Sequence, residues 1–377
     1  MQSTRFRVLE RNATGLPIRC SFTRPDNWHG HLRVGQRMRA VAMASAAVYG
    51  RMTVMPNTAP TPILTVEEGL LYQNRIVHEL TQQGMSEERA RRFCRMTLYL
   101  NQHTTPAMIV EAKTAGFIGA KFYPKNQTHG TTGSQDGVPS LHGIQHVTLA
   151  AMQEHHFHLL LHGESTSHPD ILDLERHFVR KQLRWVVQKF PELPIVLEHV
   201  STEEGVEFVL QAPAHVTATV TPQHLWFSIN SLFEGGLRPH RYCLPLYKHP
   251  RDQQALISAV TSGNPKFCAG DDTAPHPKLG LTRMAKLTDC GCAGAYVAPV
   301  SVPMYAAAFE RAGAMDERFE RFMSLNGAQA RGLAVNKDDI IIERQAWTVP
   351  DEYQFGGSDV VVPLFAGESL AWQVVES

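Results

Sequence analysis

Short apolar runs alternate with longer stretches of helical periodicity along most of the chain. Runs that read as strands fall near 18–24, 52–56, 95–100, 117–123, 157–162, 195–200, 214–220 and 266–270. Between them, 36–48, 66–82, 172–189 and 252–261 read as helices. Eight strands separated by helices predict a parallel sheet, and eight such units predict a closed (β/α)8 barrel of the TIM type. After residue 300, helical stretches at 302–312 and 316–325 lead into a β-rich tail that includes "DIIIE" (339–343) and "DVVVPLFAG" (359–367). The expected organisation is a single α/β domain over 1–377. Its barrel core covers about 18–300, and a C-terminal extension of helices and β-rich tail, about 301–377, packs on it. No internal repeat or low-complexity segment interrupts this plan.

Composition narrows the function classes. The 377 residues carry 36 basic and 36 acidic side chains, a balance that argues against a nucleic-acid or membrane-surface partner. No stretch approaches the roughly 18–20 continuous apolar residues of a membrane span. The opening "MQSTRFRVLERNATG" lacks the apolar run of a signal peptide, so a cytoplasmic location is expected. Six scattered cysteines fit a reducing compartment. The close pair Cys290 and Cys292 has no second pair or neighbouring histidines and reads as buried or incidental thiols. Histidine, with 19 residues, is the compositional oddity.

The histidines cluster in meaningful places. In "RPDNWHGHLR" (24–33), His29, His31 and Arg33 alternate, so an extended strand would project them from one face. Two close imidazoles suit a divalent metal, or they simply decorate a strand end; two ligands do not make a site. Barrels of this kind keep their chemistry at the C-terminal ends of the strands. Lys121 lies within the strand "GAKFYP", His162 ends "LLLHGE", His199 ends its strand in "LEHVST", and Asp272 follows the last strand in "AGDDTAPH". A buried histidine or lysine without a partner is costly. Singly, each residue reads as a satisfied core group; together they outline one site. The Gly- and Thr-rich stretch 125–138 reads as a loop beside that face.

The ordered set "RPDNWHGHLR", "MPNTAP", "GAKFYP", "LLHGE", "LEHVST", "TPQHL", "RPHRYCLP", "DDTAPH" and "CGCAG" resembles dihydroorotases of the class II, stand-alone type, within the amidohydrolase superfamily. The resemblance runs from about residue 20 to the C-terminus. It implies two zinc ions per subunit, with His29 and His31 as first-metal ligands, Lys121 as an N6-carboxylated bridge, His162 and His199 as second-metal ligands, and Asp272 as ligand and catalytic general base and acid. It further implies substrate-carboxylate contacts from Arg33, Asn57 and His276, and main-chain contacts to the ring amide at Leu244 and Ala293. The implied reaction is the reversible interconversion of N-carbamoyl-L-aspartate and (S)-dihydroorotate in pyrimidine biosynthesis, by attack of a metal-bridging hydroxide. A homodimer is expected, with a small-molecule substrate as its other partner.

The residue types suit that chemistry. An unactivated amide needs a strong nucleophile and a polarised carbonyl, which a two-metal site supplies. A bridge must be anionic with two oxygens, and a buried lysine's lowered pKa favours the neutral amine that takes up carbon dioxide. Arg33 offers a planar fork for a carboxylate. The pattern also departs from expectation in places. Gly30 stands where a leucine is expected and should face away from the metals. The loop at 125–138 is longer than the family's usual one; Thr128 is the nearest match to its substrate-contacting threonine, with Thr131 and Thr132 as rivals. Asp271 should point away from the rim, structural or exposed. His224 and His240 read as structural or supporting, with substrate contact as the other option. Another cyclic amidase, such as a hydantoinase or allantoinase, would share the metal cage but not the carboxylate contacts. A non-catalytic assembly subunit would lack metal ligands, and none of the six is missing.

Overall fold

The computed structural model describes residues 3–125, 137–279, 285–288 and 291–376. Thr128, Thr131, Thr132 and Cys290 lie outside the described residues. Eight parallel strands follow one another in chain order: β1 (Asp26–Gly30), β2 (Arg51–Val54), β3 (Cys94–Leu100), β4 (Gly119–Phe122), β5 (His158–His162), β6 (Ile195–Glu198), β7 (Val216–Val220) and β8 (Phe267–Ala269). All residues of β1, β2, β4, β6, β7 and β8 are buried. Burial on both faces is what a parallel sheet under a ring of helices requires, and it explains the continuous apolar runs.

The barrel closes through its loops. Just beyond the last ladder, Asp272 N donates to His29 O and His31 N donates to Thr273 O, each at 3.0 Å. Closure therefore places Asp272 beside the two histidines of the first strand.

The helices form where the periodicity puts them: Gln36–Val48, Val66–Thr81, Pro250–Thr261 and Ser301–Arg311. A helical stretch also runs from Leu174 to Lys189, with a π-type turn at Val179–Leu183. Val66–Thr81 starts at a capping box. Glu68 N donates to Thr65 Oγ1 at 3.2 Å, and Thr65 N donates to Glu68 Oε2 at 2.9 Å. No helix among the described residues is long and apolar enough to cross a membrane.

One expected strand belongs elsewhere. The run near 18–24 forms Pro17–Thr23, outside the barrel, in an antiparallel sheet with Arg7–Arg11, Asp339–Glu343 and Gln373–Glu376. The barrel therefore starts at Asp26 rather than near residue 18. The physical reason is polar. β1 opens with buried Asp26 and Asn27, which an apolar scan passes over. Arg51 satisfies Asp26 through Nε at 2.9 Å and Nη2 at 2.6 Å, and Asn27 Nδ2 donates to Asp271 Oδ1 at 2.7 Å. Of "DVVVPLFAG", Val360–Val361 forms a strand, paired with Tyr353–Gln354.

Candidate active site

The C-terminal ends of the strands open into a cleft with about 470 Å³ of free space. His29, His31, His162, His199 and Asp272 line it, and so do Arg33, Asn57, Leu244, His276 and Ala293. Lys121 is fully buried in β4 and does not reach the lining.

The imidazoles crowd together. Ring centroids are 5.4 Å apart for His29 and His31, 4.9 Å for His29 and His199, and 4.7 Å for His162 and His199. Asp272 Oδ1 lies 3.3 Å from His29 Nε2 and 3.1 Å from His31 Nε2. One ligand atom from each of His29, His199 and Asp272 falls within 4.8 Å of the others. Burial pushes His31 down to about 4, so it is neutral with a lone pair to offer. Burial alone would raise the Asp272 carboxyl, but the facing His29 and His31 hold it well below its ordinary range. His199 Nδ1 is buried with no hydrogen-bond partner. Imidazoles held neutral by burial at His31 and His199, an ionised carboxylate and an orphaned nitrogen suit a divalent metal.

Buried carboxylates behind the rings orient them. Glu198 Oε2 lies 2.7 Å from His29 Nδ1, which leaves Nε2 for the cleft. Glu164 Oε2 lies 2.9 Å from His162 Nε2, leaving Nδ1 available. The other oxygen of Glu164 faces the buried Lys248 ammonium at 3.7 Å. Glu198 also holds the Lys121 amine. Burial pulls the Lys121 pKa below lysine's ordinary value, with Glu198 opposing. For Glu198 itself, the charges on His29 and Lys121 outweigh burial and bring it to about 2. Glu164 and Glu198 escaped the sequence reading, although a carboxylate in or just beyond an apolar strand signals a buried partner.

Arg33 enters by a different route from the predicted alternation. β1 ends at Gly30, and Arg33 sits in left-handed backbone at φ 60°. Its Nε donates to Pro275 O at 2.6 Å, its Nη2 lies 3.0 Å from His276 Nε2, and Tyr72 Oη donates to its carbonyl. A guanidinium only donates, so His276 Nε2 accepts and the ring proton sits on Nδ1. Tyr123 Oη donates to Asn57 Oδ1 at 2.9 Å, which leaves the Asn57 amide as a donor. Nothing in the sequence reading singled out Tyr123. Burial lowers Arg33 to about 10, still cationic at neutral pH.

The remaining candidates separate cleanly. A Cβ on Gly30 would meet Met52 Cε at 2.5 Å, so this position faces packing rather than the cleft. Asp271 is fully buried, not exposed, and its Oδ1 also accepts from Thr273 N at 2.9 Å. His224 is held between the Thr221 hydroxyl at 2.7 Å and Pro245 O at 3.1 Å, a structural setting. His240 does not line the cleft. Among the described residues, five non-glycines have clearly positive φ, and Arg33, His199 and Asp272 are three of them. Such strain persists where surrounding structure overdetermines it, typically at functional sites.

No family model matches the chain. Over 359 residues it is 44% identical to a dihydroorotase of Alkalilimnicola ehrlichii, covering 95% of this chain and 99% of that one. It superposes on a Campylobacter jejuni dihydroorotase with a TM-score of 0.81 at 30% identity, over 94% of this chain and 96% of the other. A Saccharomyces cerevisiae dihydroorotase in complex with 5-fluoroorotic acid gives a TM-score of 0.80 at 27% identity, over 95% of this chain and 99% of the other. With near-complete coverage by such relatives, and with a clustered donor set at the mouth of the barrel, the chain belongs to the dihydroorotase family, metal-dependent hydrolases of a cyclic amide in pyrimidine synthesis.

Proposed function

We propose that the protein interconverts N-carbamoyl-L-aspartate and (S)-dihydroorotate with two zinc ions that His29, His31, His162, His199 and Asp272 would hold together with a carboxylated Lys121. The observation that carries this reading is the meeting, in one cleft, of a crowded imidazole–carboxylate cluster with a half-buried arginine beside His276, and with the Asn57 amide on the same lining. A substrate with a hydrolysable amide and a free carboxylate answers both parts. The burial that lowers the Lys121 pKa favours the neutral amine that takes up carbon dioxide.

When bound, the metals supply an activated water and polarise the amide carbonyl. The chain's residues do the rest. Arg33, Asn57 and the Nδ1–H of His276 grip the carboxylate, and the main chain at Leu244 and Ala293 reads the ring amide. Asp272 takes the proton of the attacking water and returns it to the departing ring nitrogen. Ring opening needs its ionised form and gains as pH rises, whereas cyclisation needs the protonated form and gains as pH falls. The working form is a cytoplasmic homodimer. Cys20, Cys94, Cys243 and Cys268 are buried free thiols, in keeping with a reducing compartment.

A substrate panel tests the reading. Purified metal-loaded protein should turn over dihydroorotate and N-carbamoyl-L-aspartate but neither hydantoin nor allantoin. Preference for either neutral ring would replace the substrate assignment while keeping the metal site.

A further inference from the structure

Behind the Leu244 and Ala293 side of the cleft lies a buried lysine that the proposed chemistry does not use. Lys286 is 4% exposed, and its ammonium makes three hydrogen bonds, all to main-chain carbonyls. Tyr242 O accepts at 2.9 Å, Cys292 O at 2.9 Å and Gly294 O at 2.8 Å. The three donors of an ammonium are thereby matched one to one, an arrangement a neutral amine cannot fill.

The acceptors sit on two separate ribbons. Tyr242 lies two residues before Leu244, while Cys292 and Gly294 flank Ala293 on either side. The ribbons also touch directly, since Gly294 N donates to Tyr242 O at 2.9 Å. Gly294 is at φ 132°, and a Cβ there would meet Ala274 O at 2.3 Å, so this ribbon is pressed against the loop after β8. Leu244, Ala293 and Gly294 all line the cleft.

We propose that Lys286 is a positioning residue for substrate recognition: its ammonium staples the 242–244 and 292–294 ribbons together and sets the spacing of the backbone wall that reads the ring amide. The proposal rests on the substrate reading above for what the wall recognises, but not for the staple itself. A local charge is the natural device here. Backbone groups carry no side-chain specificity of their own, so their spacing must be fixed by something behind them. Tyr242 O keeps the Gly294 N–H, but withdrawing the Lys286 donors from the Cys292 and Gly294 carbonyls would be costly, which ties the 292–294 ribbon to this side chain.

Two variants and two readouts test it. Lys286→Gln keeps two donors and Lys286→Met keeps none, so the effects should rank Met over Gln. In metal-loaded protein, KM for dihydroorotate should rise on the order of tenfold or more in Lys286→Met, with kcat changed far less and metal content unchanged. Amide hydrogen exchange of peptides covering 240–246 and 291–297 should speed up in the same order. If Lys286→Met misfolds, Lys286→Gln alone carries the test. Faster exchange with unchanged KM would overturn the role in recognition, and a raised KM with unchanged exchange would overturn the staple. Wild-type protein that fails to turn over dihydroorotate would sink the substrate assignment instead. Exchange would still decide the staple, since unchanged rates in both peptides overturn it.

Discussion

The imidazole cluster and the wall at Leu244 and Ala293 line the same cleft by opposite means. The cluster is made of side chains anchored on or directly beyond barrel strands, with buried carboxylates behind the His29 and His162 rings. The wall is made of main chain on loops, and its spacing rests on a lysine and on the close approach of Gly294 to Ala274. Strand-borne chemistry is rigid because neighbouring strands hold it in register. Loop-borne recognition stays adjustable, because its geometry depends on a few contacts that can differ without disturbing the barrel. Damage to the first should therefore abolish the reaction, and damage to the second should change what is bound.

The sharpest break of that contrast lies at Asp272. Asp272→Asn should be nearly inactive in both directions, while its neighbour Asp271→Asn keeps activity. Asp271 is buried, and burial raises its pKa to about 7, so a neutral amide is tolerated there at a cost on the order of 1 kcal/mol in stability. Assays with thermal melts check both; the reverse pattern would move the proton carrier by one residue. Next comes the bridge. Lys121→Ala should lose activity, with partial rescue by acetate or propionate standing in for the carbamate, and Lys121→Arg should not work. An active arginine variant would refute the carboxylated bridge.

On the recognition part, Arg33→Met removes a charge-assisted contact of about 1.5–3 kcal/mol, or roughly a tenfold to few-hundredfold loss in kcat/KM, with metals retained. Loss of metal alongside would blur the division between the two parts. Behind the cluster, Glu164→Gln should weaken metal binding about 10- to 100-fold in chelator competition, because His162 loses the charged partner that orients it. Unchanged affinity would mean that strand geometry alone fixes the ring.

The smallest effect concerns acid. Burial holds His224 down to about 4, so the folded chain refuses a proton that the unfolded chain takes near 6.5. Its contribution to stability is whole above about 6.5 and is lost as pH falls toward 4, by at most about 1.4 kcal/mol per pH unit. Melting temperatures should drop between pH 7 and pH 5, and less steeply in His224→Gln. Equal slopes would show that His224 is not a source of the dependence.

Local pattern determined a great deal about this protein. Apolar runs bounded by polar residues located seven of the eight barrel strands, because a strand buried on both faces has to be apolar throughout. The candidate ligands stood out because histidine, lysine and aspartate at the ends of such runs are expensive without a purpose. The first strand was not legible, since Asp26 and Asn27 are polar residues whose partners, Arg51 and Asp271, lie about 25 and 244 positions away. The same holds for Glu198 behind His29, for Tyr123 behind Asn57 and for Lys286 behind the two ribbons. A sequence shows that a buried polar group needs a partner. Only the closed barrel, which fixes which distant segments touch, decides what that partner is.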